Sequence, residues 1–431
     1  MTSHLEDVIG RHKAGESIGV CSVCSAHPLV IEAAIRLARE QETFVLIEAT
    51  SNQVDQFGGY TGMTPVNFRD RVHEIAERNG LPRDRVVLGG DHLGPNRWQA
   101  EAPEAAMANA DAQVAAYVAA GFTKLHLDCS MACAGDSFPL TGAIVAQRAT
   151  RLAAVAERAA GESDLLYIIG TEVPVPGGAH ETLETVTPTE PAAAIATLVA
   201  HREAFERAGI LEAWSRVIGL VVQPGVEFDH FRVVDYAPDR ARALKQVVDD
   251  HPQLVFEAHS TDYQTPENLA ALVRDHFAIL KVGPGLTFAL REGLFALEAI
   301  ESELISAPMR SEFGAVIERR MLARPGYWEG YYRGDEAARR LARRYSLSDR
   351  IRYYWPDSEI EAAQARLFVN LDARELPLAV LSQYLPDQYR RIRGGALLSD
   401  PASLVMDRIT DVLRNYARAC RPAATIEGIV K

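Results

Sequence analysis

Short apolar segments rich in β-branched residues recur along the first three hundred positions of the chain. Each is too short for a helix and hydrophobic enough to be a strand buried on both faces. They span residues 18–23, 43–48, 85–89, 123–128, 165–170, 217–222, 254–257 and 279–282. Apolar residues at helical spacing lie between them, and predict helices over 29–40, 68–79, 105–119, 142–159, 192–208, 240–249, 267–275 and 290–303.

Eight strands that alternate with eight helices predict an α/β fold, a closed parallel (β/α)8 TIM barrel over residues 1–306. A doubly wound open sheet is the competing layout, but it would carry a Gly-rich turn after its first strand, where this chain has Cys21-Ser22-Val23-Cys24. Residues 307–431 are Arg-rich, carry aromatic clusters and show helical spacing. We expect a helical C-terminal extension packed on the barrel. Its arginines are interpreted mainly as solvated or ion-paired, with the alternative that one reaches a substrate phosphate.

Charge and cysteine content narrow the class of protein. The formal net charge of −13 argues against a nucleic-acid-binding protein, which would need a basic surface. A local cationic cluster can still bind an anionic substrate. The N-terminus has no apolar signal region and no apolar run approaches 18 residues, so we expect a cytoplasmic protein with no membrane contact. Five cysteines indicate reduced thiols, and Cys21 and Cys24 are interpreted as buried structural residues rather than a redox or zinc pair.

Polar side chains follow nearly every predicted strand. The carboxyl ends of barrel strands are where catalytic groups lie. Helix caps and turns account for some such residues, but they do not favour two histidines and several carboxylates at one face. The sequence therefore predicts a catalytic mouth built from residues at these ends: Ser22, Glu48, Asp91, His92, Asp128, Ser130, Glu172, Gln223, Glu227, His259, Ser260, Lys281 and Gly283.

Two of these residues favour a metal site. His92 and His259 follow strands three and seven, which a barrel brings to the same pore, and two imidazoles with a carboxylate suit a catalytic divalent metal. Asp128, Glu172 and Glu227 are alternative further ligands. Asp91 beside His92 is a candidate base or orienting group, and the competing interpretation makes Asp91 a helix cap and His92 a core residue.

The last two strands favour phosphate binding. Loops after strands seven and eight of a barrel often hold phosphate on backbone N–H groups, and Ser260, Gly283 and Gly285 stand there with Lys281. Two further loops, at 51–62 with Asn52 and Gln53 and at 170–179 with Glu172, have glycines at positions that suit mobile loops. The chain has no Gly-rich nucleotide loop, so an ATP-dependent kinase is not supported. A Schiff-base aldolase that uses Lys281 is a less favoured alternative.

Several motifs point to a known family. The runs at 19–28, 47–56, 89–95, 121–128 and 221–228, which include Gly89-Gly90-Asp91-His92, resemble the tagatose-bisphosphate aldolase non-catalytic-subunit family. The resemblance spans nearly the whole chain. It implies a branch of the zinc-dependent class II aldolase barrels, often labelled tagatose-6-phosphate kinase. Some members resemble partner subunits of a catalytic aldolase chain, and others resemble 4-epimerases that interconvert tagatose 6-phosphate and fructose 6-phosphate.

The resemblance also implies roles for single residues. It makes Asp91 the acid or base, His92 and His259 zinc ligands, Ser260 part of the phosphate loop, and Glu172 the glutamate of the aldolase Glu-Leu-Gly segment. At strand six the aldolases have a zinc-binding His-Gly, whereas this chain has Gln223-Pro224-Gly225. Glu227 or Gln223 replaces that ligand, or the site is weakened.

Together these arguments predict a metal-dependent ketohexose-phosphate 4-epimerase that acts on D-tagatose 6-phosphate by retro-aldol chemistry. The alternative is a stabilising, non-catalytic subunit of a tagatose-1,6-bisphosphate aldolase complex. Zinc is the expected metal, with manganese, cobalt or magnesium as alternatives; no nucleotide is expected, and a homo-oligomer is. The predicted residues are Asp91, Glu172 and Asp128 for catalysis, Ser22, Glu48, Asn52, Gln53, Ser260, Lys281, Gly283 and Gly285 for substrate, and His92, His259 and Glu227 for metal.

Overall fold

The architecture is a closed parallel barrel surrounded by helices. A computed structural model describes residues 3–161, 164–171 and 186–421. The strands are Val20–Cys24 (β1), Val45–Thr50 (β2), Val86–Leu93 (β3), Lys124–Leu127 (β4), Leu166–Ile169 (β5), Val217–Val221 (β6), Glu227–Phe228 (β7), Val233–Val234 (β8), Val255–Ala258 (β9) and Ile279–Val282 (β10). The barrel order is β1-β10-β9-β6-β5-β4-β3-β2, while β7 and β8 form a separate antiparallel ribbon. The predicted TIM barrel is confirmed.

The helices of the barrel layer lie close to their predicted positions. They are Pro28–Glu40 (α2), Pro65–Arg78 (α3), Pro103–Ala119 (α4), Gly142–Ala160 (α5), Pro191–Arg207 (α6), Arg242–Lys245 (α7), Pro266–Arg274 (α8) and Pro284–Leu304 (α9). Many begin at a proline in the first turn, where the missing N–H costs no hydrogen bond. The helix predicted over 240–249 is wrong in length, because α7 gives way to a 3-10 turn at Gln246–Val248.

A helix that the strand pattern did not predict closes one end of the barrel. It is α1, His4–Lys13, and a capping box starts it: Ser3 Oγ accepts from the N–H of Glu6 at 3.2 Å, and the Glu6 carboxylate accepts from the N–H of Ser3 at 2.8 Å. Leu5 and Ile9 of α1 belong to an apolar cluster with residues of the strand interiors, which include Leu46, Leu166, Ile168, Val221 and Val255. The amino end of the barrel is therefore apolar and plugged.

The C-terminal part is helical. Its helices are Phe313–Ala323 (α10), Glu336–Tyr345 (α11), Ser358–Asp372 (α12), Leu378–Tyr384 (α13), Pro386–Arg393 (α14) and Pro401–Ala419 (α15). Helix α15 packs against α2, α8 and α9, and α12 packs against α9. The division into units at residue 306 stays a prediction. Among the helices of the described ranges, none has the length and apolar character needed to cross a membrane.

Candidate active site and metal centre

A cavity of about 670 Å³ opens at the carboxyl ends of the barrel strands. Segments that follow β1, β2, β3, β9 and β10 line it, and so do residues of the C-terminal part. Eight residues predicted from the sequence to form the mouth are among its lining: Asn52, Gln53, Asp91, His92, His259, Ser260, Lys281 and Gly283. The predicted location of the site therefore coincides with a cavity.

Three histidines meet at the floor of this cavity. The ring centroids of His92, His126 and His259 lie 5.0 Å (92 to 126), 5.0 Å (92 to 259) and 5.1 Å (126 to 259) apart. Asp91 and Glu257 lie beside them, and ligand atoms of Asp91, His126, Glu257 and His259 fall within 4.8 Å of one another. Strands β3 and β4 and the end of β9 supply this cluster. Glu257 and His259 are two residues apart and share a face because strand side chains alternate, whereas the left-handed backbone of His92 brings its ring to the same place as the adjacent Asp91.

A carboxylate orients each imidazole. Nδ1 of His92 donates to Asp128 at 2.7 Å, and Nε2 of His259 donates to Glu257 at 2.9 Å. Nδ1 of His126 lies 2.9 Å from Asp91 and 3.3 Å from the backbone nitrogen of His92, and the shorter contact, with a carboxylate, places the proton on Nδ1. Carboxylates commonly hold metal-binding histidines in this way, which fixes the tautomer and leaves the second nitrogen for the metal.

The second nitrogen of His126 is the decisive atom. Nε2 of His126 is buried and has no hydrogen-bond partner among the described residues. A buried polar atom without a partner costs free energy, and a bound cation removes that cost. The cluster is thus a buried site compatible with a divalent metal.

A layer of ion pairs lies directly beneath the histidines. Nζ of Lys124 lies 2.6 Å from Glu48 and 2.6 Å from Glu257, and Nζ of Lys281 contacts Glu48 and lies 2.8 Å from Asp91. Lys124, Glu48 and Glu257 are fully buried. A side chain on Gly89 would place Cβ 2.7 Å from Glu48, so this glycine leaves the space that the carboxylate fills.

The charges of this cluster shift several pKa values. Burial alone would raise the pKa of Asp91, but His92 and Lys281 outweigh it and hold the pKa well below its usual range. Burial alone would lower the pKa of His92, yet Asp91 and Asp128 raise it. Burial lowers the pKa of His259 to about 4. The negative potential that favours a proton on His92 also favours a metal cation.

Two residues of the site adopt an unusual backbone conformation. His92 has φ of 50° and Ser260 has φ of 53°, a left-handed region that residues other than glycine rarely occupy. Such strain persists where the surrounding structure enforces it, and it clusters at functional sites. The strand-end turns here aim side chains at the cavity.

Several predicted residues lie outside the lining of the cavity. Ser22 and Glu48 are fully buried below it, and Glu48 is held by the two lysines. Asp128 stands behind His92 as its hydrogen-bond partner. Gln53 lines the cavity, but its side-chain oxygen accepts from the N–H of Thr50 at 3.0 Å, which makes it a brace of its own loop.

The structure does not bring Glu227 to the histidine cluster. This carboxylate lies on β7, accepts from the N–H of Phe228 at 3.0 Å, and burial raises its pKa to about 7. The side-chain oxygen of Gln223 accepts from the N–H groups of Gly225 and Val226, at 2.8 Å and 3.0 Å, and so stabilises a turn. Glu172 and the rest of the segment 172–185 lie outside the described residues.

The backbone cradle predicted for phosphate holds a side chain of the same protein. Oδ1 of Asp262 accepts from the N–H of Gly283 at 3.0 Å and from the N–H of Gly285 at 2.7 Å. These groups form the N-terminus of α9, where an anion is stabilised, and Asp262 supplies that anion.

The interpretation of Cys21 and Cys24 as buried residues is corrected by the structure. Both are half-buried, and Cys24 lines the cavity.

Fold and site together define a (β/α)8 barrel with a buried histidine–carboxylate centre at the carboxyl ends of its strands. A family model described as "D-tagatose-1,6-bisphosphate aldolase subunit GatZ/KbaZ-like" matches residues 5–421, and the chain belongs to that family.

Three solved structures are similar to this chain to different degrees. A protein from Sinorhizobium meliloti 1021, described as a probable tagatose 6 phosphate kinase, is 49% identical, with 93% of this chain and 100% of that chain covered and a TM-score of 0.87. The YdjI aldolase of Escherichia coli K12 is 11% identical over 87% of this chain and 100% of its own, with a TM-score of 0.42. The fructose-bisphosphate aldolase of Campylobacter jejuni is 14% identical over 87% and 96%, also at 0.42. The last two are too distant to bear on the site.

Proposed function

We propose that the chain is an isomerase, a metal-dependent ketohexose-phosphate 4-epimerase that converts D-tagatose 6-phosphate to D-fructose 6-phosphate. The observation that carries the proposal is the convergence of His92, His126 and His259 with Asp91 at the floor of a cavity of about 670 Å³. That constellation suits cleavage and re-formation of a carbon–carbon bond beside a carbonyl. The described residues contribute no nucleotide loop, so kinase activity is not part of the proposal.

His126, His259 and Glu257, whose ligand atoms lie within 4.8 Å of one another, are the groups that would hold the metal, with His92 as the adjacent imidazole. Imidazole nitrogen with a carboxylate suits zinc, and we propose zinc. When bound, the metal would supply a Lewis acid for negative charge on substrate oxygens. His126 and Glu257 enter this set in addition to the histidines predicted from the sequence. Glu227, predicted as the third ligand, lies apart from it.

Asp91 is the proposed proton acceptor. Its carboxylate is kept ionised by His92 and by Lys281 at 2.8 Å, and it faces the cavity. It takes the proton of the C4 hydroxyl as the C3–C4 electron pair moves to C3 and C4 becomes an aldehyde. The aldehyde turns its other face, C3 attacks it, and Asp91 returns the proton to the new hydroxyl. Glu172 is the alternative proton acceptor from the sequence.

Other side chains of the lining are suited to hold the sugar. Asn52 and Ser260 line the cavity with neutral polar side chains, and that of Ser260 also bonds Glu227. Such groups fix the orientation of sugar hydroxyls without competing for the proton that Asp91 moves. Asp128 acts through His92, because its hydrogen bond sets the orientation of that ring.

The test uses the purified chain alone with tagatose 6-phosphate and a divalent metal. Fructose 6-phosphate is followed by NMR, with and without a chelator, for the wild type and His126→Ala. The control is His251→Ala, a partly exposed histidine remote from the cavity lining. We expect turnover that depends on metal, survives in the control and is lost in His126→Ala. No turnover by the metal-loaded wild type contradicts the proposal.

The family description favours a second function. Because the family is named for an aldolase subunit, the chain is also a candidate for a subunit that stabilises a separate class II aldolase chain. Co-expression with such a chain followed by size-exclusion chromatography tests it. A stable complex, with aldolase activity that survives His126→Ala, supports the subunit, whereas loss of the shared activity in that variant supports chemistry at this site.

A further inference from the structure

An arginine of the C-terminal part lines the cavity without a carboxylate partner. Arg352 is half-buried, and its guanidinium donates to the carbonyl oxygens of Ser348 and Asp349 and, at 3.1 Å, to the hydroxyl of Tyr353. No ion pair within the described ranges includes it. The buried carboxylates of Asp349 and Asp262 interact with it electrostatically, but neither forms an ion pair with it. A half-buried guanidinium with no directly bound carboxylate favours an anionic ligand, because removal from water has weakened its solvation.

A second cation lines the same cavity. Arg71 lies on α3 and is exposed, and across the described part of the chain it has neither a hydrogen bond nor an ion pair. The lysines nearer the floor differ, because Lys124 and Lys281 are each bound to two carboxylates. The uncompensated positive charge of the cavity therefore lies with the arginines.

The competing place for an anion is filled. The N–H groups of Gly283 and Gly285 both donate to Asp262, so a phosphate at the N-terminus of α9 would have to displace a buried carboxylate. Two anions in one cradle repel each other. A phosphate that enters the cavity thus meets positive charge at Arg352 and a negative group at Asp262.

Aromatic rings hold Arg352 in place. Its guanidinium lies 4.6 Å from the ring centroid of Tyr353, which stacks on Tyr327 at 5.0 Å and meets Tyr60 at 4.8 Å. Tyr60 belongs to the loop after β2, so this wall joins the barrel to the C-terminal part. A guanidinium fixed in this way loses little freedom when it binds a ligand.

We propose that Arg352, assisted by Arg71, binds the phosphate group of the sugar phosphate, so that the C-terminal part completes the substrate site. This inference rests on the proposed function, because it assumes a phosphorylated sugar as ligand. It assigns the phosphate to arginine side chains of the cavity wall rather than to the backbone N–H groups after β9 and β10, which commonly bind phosphate in barrels of this type.

Binding rather than turnover tests the inference. Dissociation constants for fructose 6-phosphate, inorganic phosphate and unphosphorylated fructose are measured by calorimetry for the wild type, Arg352→Met, Arg352→Lys and Arg71→Met. The control Arg374→Met removes an exposed arginine outside the cavity lining. We expect Arg352→Met to weaken fructose 6-phosphate binding about 10- to 100-fold, as for loss of hydrogen bonds to a charged group. Arg352→Lys falls between it and the wild type, Arg71→Met has a smaller effect, and the control has none.

The contrary outcomes are distinct. If Arg352→Met and Arg352→Lys bind fructose 6-phosphate as the wild type does while Asp262→Ala binds it more tightly, the phosphate lies on the α9 cradle and the inference is overturned. A wild type that binds neither phosphorylated probe also overturns it. If Arg352→Met does not fold, as judged by circular dichroism, Arg352→Lys and Arg71→Met decide. A chain that binds fructose 6-phosphate through Arg352 but never converts it contradicts the epimerase and supports this inference.

Discussion

Replacement of Lys124 by methionine tests the ion-pair layer under the site. In the wild type, three carboxylates (Glu48, Glu257 and Asp91) face two ammonium groups (Lys124 and Lys281), which leaves one excess negative charge. The substitution leaves three carboxylates against one ammonium group. Lys124, Glu48 and Glu257 are fully buried, so water cannot compensate.

The expected loss follows from that burial. Removal of one partner from a buried ion pair costs about 3–5 kcal/mol, a large part of the roughly 5–15 kcal/mol that stabilises a folded protein. The double variant Lys124→Met/Glu48→Gln has two carboxylates against one ammonium group, and so the excess of one negative charge returns. We expect it to recover at least half of the loss.

Urea unfolding followed by circular dichroism measures both variants, with chelator present so that metal binding does not contribute. Arg374→Met, which removes an exposed cation, should change the free energy of unfolding by less than about 0.5 kcal/mol. A loss below about 1 kcal/mol for Lys124→Met is the range of a surface ion pair and would contradict the buried-pair interpretation. A double variant no more stable than the single one would contradict the role of charge balance.

Three further predictions follow from single contacts. Asp128→Asn removes the partner of His92 and should weaken metal binding about 10- to 100-fold in a chelator competition, whereas Asp372→Asn on the exposed side of α12 should not; equal affinities would contradict the orienting role. Burial lowers the pKa of His201 to about 4. As the pH falls, the unfolded chain therefore binds the proton at a higher pH than the folded chain does. The free energy of unfolding should fall by about 3 kcal/mol between pH 6.5 and pH 4. His201→Gln should reduce that dependence in urea titrations while leaving the share of other buried histidines such as His259, and an unchanged slope would exclude a contribution from His201. Gly94→Ala places Cβ 1.8 Å from the carbonyl oxygen of Asp128 and should lower stability by about 1–3 kcal/mol or more in thermal unfolding, while Gly142→Ala, where the nearest atom is 3.9 Å away, should be tolerated; equal stabilities would contradict the crowding at Gly94.

The barrel and the location of its mouth could be predicted from the sequence because both depend on strong, local patterns. Buried parallel strands form nearly continuous apolar runs, and the groups at their ends, such as Asp91, His92 and His259, stand where the runs stop. Helix α1 was not predicted because it precedes the first strand and is largely polar, although Ser3 and Glu6 have the spacing of a capping box.

The inner ligands were missed for a different reason. His126 and Glu257 lie within strands rather than after them, and their side chains face the barrel interior because strand residues alternate between faces. The sequence does contain a pattern that indicates these residues: Lys124, His126 and Asp128 alternate with leucines in an otherwise apolar segment. Polar residues two apart in a buried strand indicate a polar layer inside the barrel.

Local sequence patterns could not predict which arginine lines the cavity. Arg352 shares its segment with Arg350, and both stand among aromatic residues in the same kind of sequence. Arg350 is buried over the ring of Tyr331, while Arg352 lines the cavity. The packing of the C-terminal helices on the barrel distinguishes the two, and that packing depends on contacts distant in sequence.

In the proposed reaction, this site breaks and re-forms the C3–C4 bond of a ketohexose phosphate. The most direct test is conversion of tagatose 6-phosphate by the metal-loaded chain in D2O, with the product analysed by NMR. For the retro-aldol reaction we expect fructose 6-phosphate that retains the substrate hydrogen at C4, because the carbon–hydrogen bond there is never broken. Deuterium at C4, or no fructose 6-phosphate at all, would contradict it.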